Sequence, residues 1–297
     1  MTDRVRRLVV VGRDIPLWLS AIGLQSALGR ADLEVRVVEL PSYLQPTDAL
    51  AAVPSIVALH RTLGISDAVL PRLCGAVPMV GQRFANWSGG APPFVLGFDT
   101  EPPGDGDIPF AQYWAKGRLE GLRVPLEDFS LGSVAARQGR VPGLSDETSG
   151  PLNAGFGYHL EAGPYAAVLH RFGQQAGIPS TFTNGVTVER EGDRIVAVVT
   201  AEGERIEGDL FIDASGPDAV LSSPQHDDFE DWSRWLPCDR ILTASAAQLP
   251  NPPAYSQVSA FAQGGSACIR SLGEPGSWPL SRPRISTNGA LPNSCRR

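Results

Sequence analysis

Arg7-Leu8-Val9-Val10-Val11-Gly12-Arg13-Asp14-Ile15-Pro16-Leu17-Trp18, residues 7–18, decides the fold class of this chain. Leu8 to Val11 is an unbroken apolar run, the pattern of a strand covered on both faces of a parallel sheet. Gly12 to Pro16 is a turn, and the fixed φ of Pro16 suits the first turn of a helix. Trp18, Leu19, Ile22, Leu24 and Leu28 then recur at approximately helical spacing as far as Gly29. Val35, Val37 and Val38 form a second strand ending at Glu39, which completes a βαβ unit in outline.

A βαβ unit that ends in an acid is the usual frame for a dinucleotide. The first glycine of G-x-G-x-x-G makes the tight turn, the second lets the backbone reach the pyrophosphate, and the third lets helix and strand pack closely. Gly12 fills the first place, but Asp14 and Leu17 stand in the second and third. An aspartate at the helix N-terminus sets a negative charge where phosphate would have to bind, and Leu17 adds bulk. The segment reads either as a structural βαβ unit or as a weakened cofactor loop. Glu39 reads either as a ribose-binding acid or as a solvated strand end.

Downstream, Pro54, Ile56, Leu59, Leu63 and Gly64 mark a short helix, Arg83 to Trp87 and Phe94 to Phe98 are strands, and Asp99 to Asp107 is a loop. Glu127 to Arg137 has a weak helical pattern. Tyr165, Val168, Leu169, Phe172 and Ala176 fall on one helical face between Pro164 and Gly177, which turns His170 and Arg171 outward. Val186 to Glu191, Ile195 to Thr200 and Ile206 form a meander of hairpins. It leads into Asp209-Leu210-Phe211-Ile212-Asp213-Ala214-Ser215-Gly216, a buried-type strand with a small-residue exit. Such an exit is either an ordinary tight turn or a set of backbone amides at the carboxyl edge of the sheet, where ligands bind in open α/β folds.

The chain has 297 residues, 42% hydrophobic and 19% charged, and a formal net charge of -7. That balance describes a mildly acidic globular protein and argues against a nucleic-acid partner, which needs a basic surface. Cys74, Cys238, Cys268 and Cys295 lack paired spacing, so neither a zinc site nor a disulfide framework is expected, and a cytoplasmic location fits. No targeting signal or membrane-spanning run is read. Lys116 is the one lysine in the sequence.

Taken in order, Val9-Val10-Val11-Gly12 with Trp18, Arg83-Phe84-Ala85-Asn86-Trp87, Pro109-Phe110-Ala111-Gln112-Tyr113-Trp114, Gly157-Tyr158-His159-Leu160-Glu161-Ala162 and Asp209 to Gly216 resemble the flavin-dependent tryptophan halogenase family. Cys238-Asp239-Arg240 and Pro253-Ala254-Tyr255 continue the likeness, which runs to about residue 264. The resemblance implies an α/β fold, an FAD-binding Rossmann-like parallel sheet with an antiparallel β-meander. It implies a halogenase-like domain over 1–264 with a substrate-side insert at about 66–155. It also implies FAD as cofactor, held by Gly12, Glu39, Asp213, Ala214, Ser215 and Gly216, with a small aromatic substrate and a flavin reductase as partners. The family uses reduced FAD, oxygen and halide to halogenate an indole or similar aromatic, delivering the oxidant to a lysine beside the substrate.

By the same count the lysine falls at Met79, which can neither form a chloramine nor donate a hydrogen bond. Lys116 lies in another segment and does not replace it. The family's acid before Pro54 corresponds to Leu50, and Gly265-Ser266-Ala267-Cys268-Ile269-Arg270 stands where members carry Trp-x-Trp-x-Ile-Pro. The resemblance therefore implies a degenerate, C-terminally truncated member of impaired activity with no catalytic residue to assign, and the alternative is a non-catalytic binding or interaction remnant, or a truncated product without flavin. Residues 265–297 read as an irregular, disordered tail, native or an out-of-frame continuation of a longer gene. His60, His159, His170 and Glu161 show no triad logic, and Asp227, Asp228, Glu230 and Asp231 read as a solvated acidic loop.

Overall fold

A computed structural model describes residues 5–28, 33–87, 90–99, 104, 106–141, 155–222, 230–236, 241–243, 253–261, 264–269 and 282–287. In chain order the elements are β1 (Arg7–Gly12), α1 (Asp14–Leu28), β2 (Glu34–Glu39), β3 (Ala49–Ala52), α2 (Ser55–Thr62), α3 (Leu70–Cys74), β4 (Val77–Met79), β5 (Gly81–Ala85), β6 (Phe94–Gly97) and α4 (Phe110–Leu119). After them come α5 (Leu131–Arg137), β7 (Gly157–Glu161), α6 (Ala162–Gln175), β8 (Ser180–Phe182), β9 (Val186–Glu191), β10 (Arg194–Thr200), β11 (Arg205–Glu207) and β12 (Leu210–Ala214). The last strands are β13 (Ile241–Thr243), β14 (Tyr255–Phe261), β15 (Gly264–Ile269) and β16 (Arg282–Thr287). The chain divides into two compact units, residues 1–48, 62–65 and 162–231, and residues 49–61, 66–161 and 232–297.

In the first unit the apolar run of residues 8–11 becomes β1, the second strand of a parallel sheet ordered β12-β1-β2-β8. All four residues are buried, as a strand with both faces covered must be. Val9 and Val11 share a core with Val38, Leu40, Val198, Ile206 and Leu221, which seats the antiparallel meander β11-β10-β9 on one face of the sheet. Each such side chain removed from water contributes roughly 1.5–3 kcal/mol. The α/β class, with its Rossmann-like parallel sheet and antiparallel meander, is thus present.

Helix α1 packs on β1, β2 and α6. Trp18 and Tyr165, each 1% exposed, stand among the large buried side chains of α1 and α6. Gly173 makes this approach possible, because a Cβ built there would lie 2.4 Å from two atoms of the Trp18 ring. His170, outward by helical phase, is half-buried. Its ring lies 4.7 Å from that of Trp18, tilted by 52°.

The second unit contains a six-stranded sheet ordered β13-β16-β15-β14-β5-β6 and a three-stranded antiparallel sheet, β3-β7-β4. The stretch from Glu127 to Arg137 is not one helix. A 3-10 turn over Leu126–Phe129 stops at Ser130, which then caps α5 by accepting the Ser133 N–H at 2.9 Å. Asp99 accepts from the Ser130 hydroxyl and the Gly132 N–H, and the Ser133 hydroxyl bridges Val95 and Gly97, tying α5 to β6. The chain beyond residue 264 is also not irregular throughout. Residues Gly264–Ile269 pair antiparallel with β14, and Arg282–Thr287 extends the sheet. Their lack of apolar alternation hid strands that are specified by their neighbours rather than by local pattern. Residues 270–281 and 288–297 of the expected tail, and Asp227, Asp228, Cys238 and Cys295, lie outside the described residues.

Candidate functional site

Parallel register sets Gly12 beside both Ala214 of β12 and Glu39 of β2. The carboxyl edge of the sheet therefore gathers every residue that the sequence nominated for a cofactor: Gly12, Glu39, Asp213, Ala214, Ser215 and Gly216. Gly12 must lack a side chain for a reason internal to the sheet. A Cβ there would lie 2.3 Å from the carbonyl carbon and oxygen of Ala214.

The acids at this edge already have partners. Glu39 accepts from the Trp18 indole N–H at 3.3 Å. Asp213 folds its own exit turn, one oxygen accepting from the N–H and hydroxyl of Ser215 at 2.9 and 2.5 Å, the other from the Leu221 N–H at 2.8 Å. Ser215 is buried and its hydroxyl accepts the Val220 N–H in turn. The small-residue exit is an internally closed turn.

Three residues that sequence reasoning did not nominate complete the edge. Arg13, directly after Gly12, turns its side chain back onto the sheet, where it is 9% exposed. Its Nη1 donates to the Ser215 carbonyl at 2.9 Å and to the Asp218 carboxylate at 2.7 Å. The guanidinium lies 3.8 Å from the centroid of the Tyr43 ring, a cation–π contact. The Tyr43 hydroxyl donates to the same Asp218 oxygen at 2.8 Å, and the Tyr43 N–H donates to Asp14 at 3.1 Å. The bond from Tyr43, followed by that from Arg13, holds the Asp218 carboxyl below its ordinary range, while the Asp218 bond raises the Tyr43 phenol. An arginine in a loop that calls for small residues was the available signal. Tyr43 and Asp218 gave none, because only folding brings them to it.

The loop departs from the dinucleotide glycine pattern at Asp14 and Leu17. Asp14 has φ 56°, the left-handed region natural to glycine. Leu17, in the third place, is fully buried. Tested against a pyrophosphate, the edge does not fit: a carboxylate stands at the N-terminus of α1, and the nearby cation is buried and committed to Asp218.

In the second unit Met79 is fully buried in β4, opposite Gly157, and Leu50 lies opposite Leu160 in β3. Lys116 is exposed in the last turn of α4. His60 is fully buried, its Nδ1 3.2 Å from Asp67, whose backbone carbonyl accepts the Tyr158 hydroxyl at 3.3 Å. Burial pushes that phenol far up, so the cluster is a buried polar brace. His159 is buried within β7, and Glu161 closes the same strand, half-buried. Glu230 and Asp231 are exposed. Among the described residues no group of three or more His, Cys, Asp or Glu side chains is arranged to hold a metal, and no helix is long and apolar enough to cross a membrane.

A parallel sheet with a glycine turn into α1 and an acid-ended second strand defines the class: an α/β protein with a Rossmann-like sheet. Residues 7–266 match the family model described as tryptophan halogenase, and the chain belongs to that family. It is 30% identical over 325 residues to tryptophan 7-halogenase KtzQ of Kutzneria sp. (strain 744), covering 99% of this chain and 59% of that protein. It is 27% identical over 267 residues to tryptophan 6-halogenase ThaL of Streptomyces albogriseolus, covering 82% and 49%. BrvH, a flavin-dependent halogenase from Brevundimonas sp. BAL3, superposes with a TM-score of 0.81 at 27% identity, over 98% of this chain and 58% of that one. The chain thus spans about half to three-fifths of the length of these relatives.

Proposed function

We propose that this chain is a halogenase-family protein in which halogenation is impaired. Met79 carries the reading. At the position matching the family lysine, the chain has a fully buried thioether with no amine and no N–H to hold an oxidant. Leu50 in place of the family's acid points the same way.

Were FAD held, Gly12, Glu39 and the turn from Asp213 to Gly216 would hold it, with a small aromatic substrate, a flavin reductase and a cytoplasmic setting to match. The closed edge around Arg13 favours the alternative, a non-catalytic binding or interaction protein. The test is a reductase-coupled reaction of the purified chain with FAD, tryptophan and chloride or bromide, read by mass spectrometry beside an active relative. The expected result is no halogenated product. Turnover within an order of magnitude of the relative's would overturn the proposal.

A further inference from the structure

We infer that the cofactor edge of this sheet is self-liganded: Arg13, Asp14, Tyr43 and Asp218 take the place of a dinucleotide's pyrophosphate, and the protein folds and persists without FAD. The inference goes beyond impaired halogenation, because a chain lacking the lysine could still carry flavin.

Three observations bear on it. First, the positive end of the α1 dipole, which would attract a phosphate, already meets the carboxylate of Asp14. That carboxylate is fixed by the Tyr43 N–H at 3.1 Å. Second, the cation that could offset this charge is unavailable. Arg13 is 9% exposed, sandwiched against Tyr43 and bonded to Ser215 and Asp218. Third, Tyr43 links the two halves, bonding Asp14 through its backbone and Asp218 through its hydroxyl. A ligand phosphate would therefore have to displace a connected set of contacts, and would meet the carboxylates of Asp14 and Asp218.

The experiment uses the full chain as purified. Its absorption spectrum is recorded, FAD is titrated by flavin fluorescence, and melting is followed with and without millimolar FAD. A colourless protein, no saturable quenching and an unchanged melting temperature are expected. A yellow protein with stoichiometric flavin, or a melting temperature raised by FAD, overturns the inference. The closure itself is tested by Arg13→Ala and Tyr43→Phe, which should each lower the melting temperature by several degrees. If both melt like the parent, the edge is not held by these contacts, and the inference fails even without FAD binding.

Gain of binding is a further readout. Arg13→Gly/Asp14→Gly/Leu17→Gly should acquire saturable FAD binding at least tenfold tighter than the parent. Asp14→Asn, which keeps the packing, should move in the same direction should the triple variant fail to fold. Absence of any gain in a folded variant counts against the account. Flavin binding without halogenation would sink this inference and leave the proposed function standing, whereas halogenated product would sink both.

Discussion

Two alanine substitutions in one helix should act with opposite sign. Gly163 and Gly173 both lie in α6, so replacing either by alanine gains helix propensity, worth up to about 1 kcal/mol and less near the helix start. At Gly163 a Cβ meets nothing within 4 Å, and the gain should appear as a stabilisation of about 0.5 kcal/mol. At Gly173 the same Cβ falls 2.4 Å from the Cε3 and Cζ3 atoms of Trp18. A carbon pair wants roughly 3.5–4.0 Å, so α6 and α1 must separate by more than 1 Å or the indole must turn. Neither is easy. The ring is 1% exposed, is held by Glu39 at 3.3 Å and has His170 against it at 4.7 Å. Overpacking of this kind costs about 1–3 kcal/mol, which after the propensity gain leaves a net loss of up to about 2 kcal/mol. Urea denaturation followed by circular dichroism measures both variants, and Trp18→Leu combined with Gly173→Ala should recover part of the loss through a non-additive cycle. Equal stability of the two single variants would refute the claim that Trp18 and Gly173 set the spacing of α1 and α6.

Two further perturbations test the braces in each unit. The Asp209 carboxylate accepts the N–H groups of Arg6 and Arg7 and pairs with the Arg7 guanidinium, which holds its pKa down to about 2. A depressed carboxylate stabilises the fold above its unfolded pKa of about 3.9, and the benefit disappears as pH falls through the folded value. Stability should therefore lose this contribution between about pH 4 and pH 2, and Asp209→Asn should be less stable at neutral pH but flatter across that window in acid titrations. In the other unit, Asp67→Ala removes the partner of Nδ1 of the fully buried His60 imidazole. Chemical denaturation should show a loss of about 2 kcal/mol, the cost of an unsatisfied buried polar group, and a change within error would mean that the pair is not structural.

The sequence made the sheet readable because its information there is local. Four consecutive apolar residues, a glycine and a proline announce β1 and the start of α1, and alternation announces β9 and β10. The strand β15 could not be read this way. Gly264-Gly265-Ser266-Ala267 has no apolar pattern, and its pairing with β14 and β16 is imposed from outside the segment. The edge was legible in the same partial way. Asp14 and Leu17 are visible as misfits against a glycine spacing, while Arg13 acquires meaning only through Tyr43, 30 positions on, and Asp218, 205 positions on. No spacing rule within one element could reveal that the arginine turns inward.

The φ of 56° at Asp14 separates two accounts of this loop. A non-glycine residue held in the left-handed region costs about 1–2 kcal/mol, less for aspartate, whose short side chain can bond locally. If Asp14 were only a misfit at a phosphate loop, the simplest relief would be for α1 to unwind its first turn and carry Asp14 to negative φ. The strained conformation persists because something there repays it. The Tyr43 N–H on the Asp14 carboxylate is the local bond, and Tyr43 in turn covers the guanidinium that Asp218 neutralises. Positive φ, a buried arginine and a shared carboxylate are therefore parts of one arrangement. Each of the three is stable in the surroundings that the other two provide.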